Sequence, residues 1–185
     1  MLSRPKRRRP RLVPALVAVA GGAALLLLAS AASAASADSV FHIDRNKNRN
    51  QVHYGVHLDE NCRPVGTDPV YNYWLRREKD PPEVRPLTYL QQAAYGFQEQ
   101  DVKKDGRIEM RLRALPDRQL VVRAAAMGGT CKVETFTTIG EKQAYLEKVF
   151  VFAEDGLLLP AVRYIELFGR SNDGLSVYEK ITVGN

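Results

Sequence analysis

The stretch FQEQDVKKDGRIEMRLRAL, residues 97–115, contains two runs of alternating polar and apolar residues on either side of Asp105-Gly106. Alternation with a period of two is typical of a strand that buries one face. An Asp-Gly pair between two such runs favours a type I′ turn, because both central residues of that turn need a positive φ. We therefore predict a hairpin whose antiparallel strands span 97–103 and 107–115.

The same pattern extends from this hairpin in both directions. Short runs rich in Val, Ile, Tyr, Phe and Thr are separated by turn residues, with further turn signals at Asp155-Gly156 and Asn172-Asp173-Gly174. Tight turns join antiparallel neighbours, and the chain has too few helices for the crossovers of a parallel sheet. We predict an all-β fold, mainly an antiparallel meander that is barrel-like or a two-sheet sandwich, with one short helix. The remaining strands are predicted at 40–43, 51–58, 70–77, 119–125, 131–138, 142–153, 161–168 and 175–183.

The short helix is predicted at 86–95. Pro86 suits a first helical position, and Gly96 suits a C-terminal cap. Leu87, Leu90 and Ala94, joined by Tyr95, recur three or four residues apart, which indicates an apolar stripe on one side of the helix. We expect this stripe to cover a sheet edge or to close one end of a barrel.

The charge of the chain is concentrated at its beginning. Six of the 27 Lys and Arg residues precede Leu12, and no Asp or Glu occurs before Asp38, so residues 38–185 hold 21 charges of each sign. This balance gives no argument for a nucleic-acid partner, and none is predicted. The basic stretch is followed by an apolar run at 12–29 and by Ala and Ser alone at 31–37, which is the order of a signal peptide. We predict a signal peptide at 1–37 and a single β-rich domain at 38–185, with an uncleaved membrane anchor as the alternative.

Export affects the interpretation of the two cysteines, Cys62 and Cys131. The mature protein is expected to be periplasmic or secreted and free of the membrane after leader cleavage, and thiols in such oxidising compartments tend to pair. A bridge that closes a loop of 69 positions would stabilise the fold by about 4 kcal/mol. The alternative is a pair of buried free thiols, whereas the spacing does not suit a zinc site.

The segment DRNKNRN, residues 44–50, has the most unusual composition between two predicted strands. Its cations supply charge and its amides supply orientation, a combination that suits a bound anion. The ligand-binding residues predicted on this basis are Arg45, Asn46, Lys47, Asn48, Arg49 and Asn50. The alternative is an ordinary hairpin loop, because Asn tolerates left-handed turn geometry. A calcium loop is disfavoured, because only the first half of the EF-hand spacing is present and the loop is locally positive.

Three histidines, His42, His53 and His57, raise the hypothesis of a metal site. Four residues along a strand span about 13 Å, so His53 and His57 cannot share one ion. His42 approaches either of them only if the register of a hairpin brings it there. We predict no metal and no cofactor, and expect these histidines on the polar face of their strands.

Recognisable enzyme motifs do not occur in the sequence. The nucleophile elbow, the zinc protease helix, the phosphate-binding loop and the dinucleotide fingerprint are all missing, and no catalytic residue is predicted. Carboxylates on predicted strands are the remaining candidates for an acid and base pair. They are Glu134, Glu147, Glu166 and Glu179.

Five stretches taken together resemble a bacterial exported family of domains of unknown function, family 4833. They are FHIDRNKNRNQVHY (41–54), PVYNYWLR (69–76), AYGF (94–97), YIELFG (164–169) and VYEKI (177–181). The resemblance implies a single exported β-rich domain and transfers no catalytic or binding residue. The function we predict is a non-enzymatic binding module for a small anionic or polar ligand or for a cell-envelope component. The alternative is a hydrolase that uses carboxylate or histidine chemistry.

Overall fold

A computed structural model describes residues 39–154 and 161–183, which form eleven strands and one helix. The all-β prediction with one short helix is confirmed. The signal peptide predicted at 1–37 and the turn predicted at Asp155-Gly156 lie outside the described residues. The elements are β1 Phe41–Arg45, β2 Gln51–Val56, β3 Val70–Arg76, β4 Glu83–Arg85, α1 Tyr89–Tyr95, β5 Phe97–Val102, β6 Ile108–Leu112, β7 Leu115–Met127, β8 Thr130–Ile139, β9 Lys142–Glu154, β10 Ala161–Ser171 and β11 Ser176–Thr182.

The strands form one large mixed sheet. Its order is β4-β3-β2-β1-β9-β8-β7-β6-β5, with β10 on the other edge of β9 and β11 beside β10. This path is open, so the described strands do not close into a barrel. Most pairs are antiparallel, as the meander prediction expects, but β1 and β9 are parallel. A parallel pair needs a long connection, which residues 46–141 supply here.

β9 is the branch point of the sheet. One of its edges pairs with β10 along most of its length. The opposite edge pairs with β8 at residues 142–145 and then with β1 at residues 148–151. Two branches therefore leave the same edge, β8 to β5 and β1 to β4. The two branches contact each other: the Tyr54 ring in β2 meets the Phe97 ring in β5 edge-on, with the ring centroids 5.9 Å apart. The two branches are therefore parts of one mixed sheet that does not close into a barrel.

The hydrophobic core lies between the two branches. Alternate residues point inward along each strand, such as Phe41 and Ile43 in β1 and Met110 in β6, all buried. Tyr54 is also fully buried, and its hydroxyl donates a hydrogen bond to the carbonyl of Tyr95 at 2.6 Å. Burial raises the pKa of Tyr54 well above its usual value, so the hydroxyl stays a donor.

The predicted hairpin at 97–115 is present as β5 and β6, but its turn differs from the prediction. Gly106 has a φ of 84°, whereas Asp105 is not among the residues with positive φ. Gly106 donates to the carbonyl of Lys103 and Lys103 donates to the carbonyl of Arg107, both at 2.9 Å. This pattern is a type I turn followed by a left-handed glycine. The type I′ prediction was wrong, because only the glycine takes up the left-handed conformation that costs other residues energy.

The helix is shorter than predicted and does not contribute a buried stripe. Thr88 caps it, accepting from the N–H of Gln91 while its own N–H donates to the Gln91 side chain. No residue of α1 is buried, and Leu90 is 66% exposed. The stripe prediction was therefore wrong, since strand side chains already fill the core. Leu87, before the helix, is buried in it, and Tyr95, at the end of the helix, packs against it while only partly buried. Among the residues described, no helix has the length and apolarity to cross a membrane.

The predicted disulfide between Cys62 and Cys131 is confirmed, with a distance of 5.4 Å between the Cα atoms. Cys62 lies in the connection between β2 and β3, and Cys131 lies at the start of β8. The bridge therefore links one branch of the sheet to the other.

Candidate functional site

The segment predicted to bind an anion, residues 44–50, holds the last two residues of β1 and the hairpin loop 46–50 between β1 and β2. Asn46 exchanges two hydrogen bonds with the backbone of Ala153, each 3.0 Å long. Asn50 donates to the carboxylate of Glu78 at 3.1 Å and accepts from its backbone N–H at 3.3 Å. The side-chain oxygen Oδ1 of Asn48 accepts a hydrogen bond from the backbone N–H of Asn50 at 3.1 Å. All three amides therefore take part in hydrogen bonds within the fold, and those of Asn46 and Asn50 reach segments far away in the chain.

The cations of this loop occupy two different environments. The Arg45 guanidinium lies 4.5 Å from the centre of the Trp74 ring and donates to Asn48 at 3.1 Å. This position suits a cation–π contact that supports the loop from the core side. Lys47 and Arg49 are exposed. Anion binding stays a prediction, and it now depends on the charges of Lys47 and Arg49 rather than on the amides.

His42 in β1 and His53 in β2 lie on the outer face of the sheet, and His57 follows directly after β2 and is exposed. His42 and His53 are register partners, and their rings stack with centroids 5.3 Å apart. His53 also stacks on Tyr73 of β3 at 5.3 Å, and His57 stacks on Tyr71 at 4.4 Å. Within residues 39–154 and 161–183, no group of three or more metal-ligating side chains occurs. The sequence analysis missed this stack, because only the register of β1, β2 and β3 brings the rings together.

The hydrogen bonds around His53 determine which ring nitrogen carries the proton. Gln51 donates through Nε2 to Asp44 at 2.8 Å, so its Oε1 is the acceptor that faces Arg77 at 3.3 Å and His53 Nε2 at 3.0 Å. His53 Nε2 is therefore the donor, and Nδ1 is left as an acceptor. Burial, with smaller effects from the neighbouring His42 and Arg77, lowers the pKa of His53 to about 4. The ring is neutral at pH 7.

The strand carboxylates considered for acid and base chemistry each contact a basic side chain or a tyrosine hydroxyl. These contacts are Glu134 with Lys132 at 2.6 Å, Glu147 with Arg170 at 2.7 Å, Glu179 with Arg118 at 2.7 Å, and Glu166 with the Tyr178 hydroxyl at 2.8 Å. Such contacts are typical of exposed strand faces and contribute little to stability.

A cavity of about 680 Å³ opens between β9, β10, β11, the start of β7 and the end of α1. We call it the apolar cavity, because most of its wall is aliphatic. Its rim holds two basic and two acidic residues, of which Arg118 and Glu179 form an ion pair of 2.7 Å. Glu179 also accepts the N–H of Gly140 at 2.7 Å. The main apolar wall residues are Leu115, Val151, Val162, Ile165, Ile181 and Val183.

A second opening of about 490 Å³, which we call the polar cleft, lies where β8 and β1 separate along β9. Its walls come from the start of β1, from His53, and from segments 132–135 and 145–147. Thr135 is 1% exposed, and its Oγ1 has no hydrogen-bond partner among the described residues. His53 Nδ1 is a buried atom that likewise has no hydrogen-bond partner among the described residues. Sequence patterns carry no signal for this cleft, because its walls include residues more than a hundred positions apart in the chain.

Comparison with known proteins identifies the family. The model of a family described as a domain of unknown function (DUF4833) matches residues 41–180. No match to the chain is found among curated proteins or among solved structures. The matched range begins at β1, ends within β11 and contains most of the walls of both openings. Because it covers far more than half of the 185 residues, the chain belongs to the DUF4833 family of domains of unknown function.

Proposed function

We propose that the domain is a binding module that takes up a neutral, mainly apolar small molecule in the apolar cavity. The observation that carries this proposal is an open cavity of about 680 Å³ lined by largely aliphatic walls. Ligand sites usually occupy roughly 300–1,000 Å³ and are lined in this way. Voids left by ordinary packing are much smaller, since protein interiors are close-packed.

The charges at the rim favour a neutral ligand. Arg118 and Glu179 satisfy each other, and their side chains are each 21% exposed. The remaining rim charges, Arg113 and Asp117, have opposite signs. A charged ligand would lose hydration on entry without gaining an unpaired counter-charge, which makes its binding costly.

A fluorescence titration with N-phenyl-1-naphthylamine, a neutral apolar probe, tests this proposal. We expect saturable binding to the wild-type domain, and binding at least about tenfold weaker in Ala114→Phe, which places a ring in the cavity wall. Ala125→Phe, at an exposed position of β7 outside the cavity, is the matched control and should bind as the wild type does. Equal binding by Ala114→Phe and the control, or no saturable binding by the wild type, would contradict the proposal.

We also propose that the domain acts outside the cytoplasm after export directed by residues 1–37. The disulfide supports this location, because such bridges persist mainly in oxidising compartments. N-terminal sequencing of the exported protein should find a mature chain that begins near Asp38. Recovery of the intact leader in the membrane fraction would instead indicate an uncleaved anchor.

A further inference from the structure

The apolar cavity borders a third opening of about 480 Å³, which we call the helix groove. Ala93 of α1 and Arg113, between β6 and β7, line both spaces, so the cavity and the groove meet at these residues. The backbone N–H of Arg113 donates to the Gly96 carbonyl at 2.9 Å, which fixes this segment to the end of α1. One ligand can therefore occupy both spaces along a shared wall.

The helix groove is more polar than the apolar cavity, but its amide side chains already have partners in the fold. Gln100 exchanges two hydrogen bonds of 3.0 Å with the backbone of Val70. Gln92 donates to the Asn72 side chain at 2.9 Å and accepts from it at 3.3 Å. These bonds join β5 and α1 to β3. The charged side chains of the groove are therefore the polar groups most available to a ligand.

Two charged side chains, Asp68 and Arg113, line the helix groove, and both are exposed. Neither forms an ion pair with another residue in the described part of the chain. A ligand group of a single sign would meet an opposite charge at one of them and a like charge at the other. A head group that carries both signs complements both, and it is neutral overall, in keeping with the balanced charges at the rim of the cavity.

The other side chains of the groove indicate the chemistry of such a head group. Tyr89 and Phe97 line the groove together with Asp68, and Tyr89 is 87% exposed. Aromatic rings attract quaternary ammonium groups through cation–π contacts. The planar guanidinium of an arginine donates two parallel hydrogen bonds to a phosphate. A phosphate joined to a quaternary ammonium group suits this combination of residues.

We propose that the apolar cavity and the helix groove together bind a single-chain amphiphile with a zwitterionic phosphocholine head group. The apolar chain occupies the cavity, and the head group lies in the groove, with its phosphate beside Arg113 and its ammonium group beside Asp68 and Tyr89. This inference rests on the proposed function, because the chain needs the cavity. It narrows the class of ligand from any neutral apolar molecule to a zwitterionic lipid with one chain.

Displacement of N-phenyl-1-naphthylamine from the wild-type domain tests this inference. The competitors share a dodecyl chain and differ in the head group: dodecylphosphocholine, dodecyl sulfate and dodecyltrimethylammonium, each below the concentration at which it forms micelles. We expect dodecylphosphocholine to bind at least about threefold more tightly than either singly charged competitor, because each exposed charge contact contributes little. Equal or weaker binding of dodecylphosphocholine, with the probe still bound saturably, would overturn this inference alone. No saturable binding of the probe would overturn the proposed function as well.

Two variants that each remove one charge test the role of the groove. Arg113→Gln and Asp68→Asn should each weaken binding of dodecylphosphocholine by about threefold to fivefold. Arg113→Gln should also weaken binding of dodecyl sulfate but not of dodecyltrimethylammonium, and Asp68→Asn should do the reverse. Arg111→Gln is the matched control, because Arg111 lines neither space and pairs with Glu99 at 3.3 Å, and it should bind all three competitors as the wild type does. Affinities that fall equally for the three competitors, or that match those of the control, would refute a head-group site in the groove.

Discussion

Substituting two threonines of β8 by valine tests which buried hydroxyl groups of the interior form hydrogen bonds. Thr135 and Thr137 are buried on the same face of the strand, with 1% and 3% exposure. The Thr137 hydroxyl donates to the Gln119 carbonyl at 2.8 Å, whereas Thr135 Oγ1 has no partner among the residues described. Valine keeps the shape and the β-branch, so each substitution changes little except the hydroxyl. We expect opposite effects on the free energy of unfolding.

The magnitudes follow from the hydrogen bonds. Thr137→Val deletes a bond and removes a donor from the Gln119 carbonyl, which should destabilise the fold by about 1–2 kcal/mol. Thr135→Val removes a buried hydroxyl that pays a desolvation cost without a bond, and it adds a buried methyl group. It should stabilise the fold by about 1 kcal/mol. The two variants should therefore differ by about 2–3 kcal/mol, or by roughly 5–10 °C in Tm.

Urea denaturation followed by the fluorescence of Trp74 measures both values. This residue is the single tryptophan of the chain, and it is 7% exposed, so its emission reports unfolding of the core. Equal m-values for the two variants would show that the denatured states are comparable. If Thr135→Val destabilises the protein as much as Thr137→Val does, the Thr135 hydroxyl has a partner such as an ordered water. The argument from its unpaired state would then fail.

Three further predictions concern His53, the disulfide and the loop of residues 46–50. The pKa of His53 is about 4 in the fold against 6.5 ordinarily, so the unfolded chain binds a proton first as the pH falls. Stability should fall by roughly 1–2 kcal/mol between pH 6.5 and 4, allowing for partial exposure of the ring, and a urea series on His53→Gln should lose this part of the dependence. Titration of denatured, unreduced protein should find no free thiol, and two titratable thiols in exported protein would contradict the bridge. In the double variant Cys62→Ala/Cys131→Ala, chemical denaturation should give a free energy of unfolding that is lower by about 4 kcal/mol. If the loop binds anions, calorimetry should show phosphate binding that weakens as salt is added and weakens again in the double variant Lys47→Gln/Arg49→Gln. The free energy of unfolding of this variant should stay within about 0.5 kcal/mol of the wild-type value. Equal phosphate binding by the variant and the wild type would indicate an ordinary hairpin loop.

The predicted binding residues illustrate how far local sequence information reaches. The composition of residues 44–50 correctly placed a polar loop between two strands. It did not show that Asn46 bonds to Ala153, 107 positions away, or that Asn50 bonds to Glu78, 28 positions away. These partners depend on which strands become neighbours, and no pattern within the loop contains that information.

The helix and β4 illustrate the same limit for secondary structure. The cap at Thr88 follows from residues within one turn, but the exposed face of α1 depends on how completely the strands fill the core. β4 is an edge strand of three residues that was not predicted, and it is defined by its pairing with β3. Its own length is too short to produce a recognisable alternation.

Alternation with a period of two and the positions of Gly, Pro and Asp were sufficient for an all-β fold with one short helix. The disulfide prediction used the count of cysteines together with the expected export of the chain. These features depend on local backbone preferences or on simple pairing, so they can be read along the chain. The parallel pairing of β1 with β9, the branching of the sheet, the stack of His42 on His53 and both openings required the folded structure. They arise from register and from contacts between distant residues, which are determined only when the whole chain packs into one sheet.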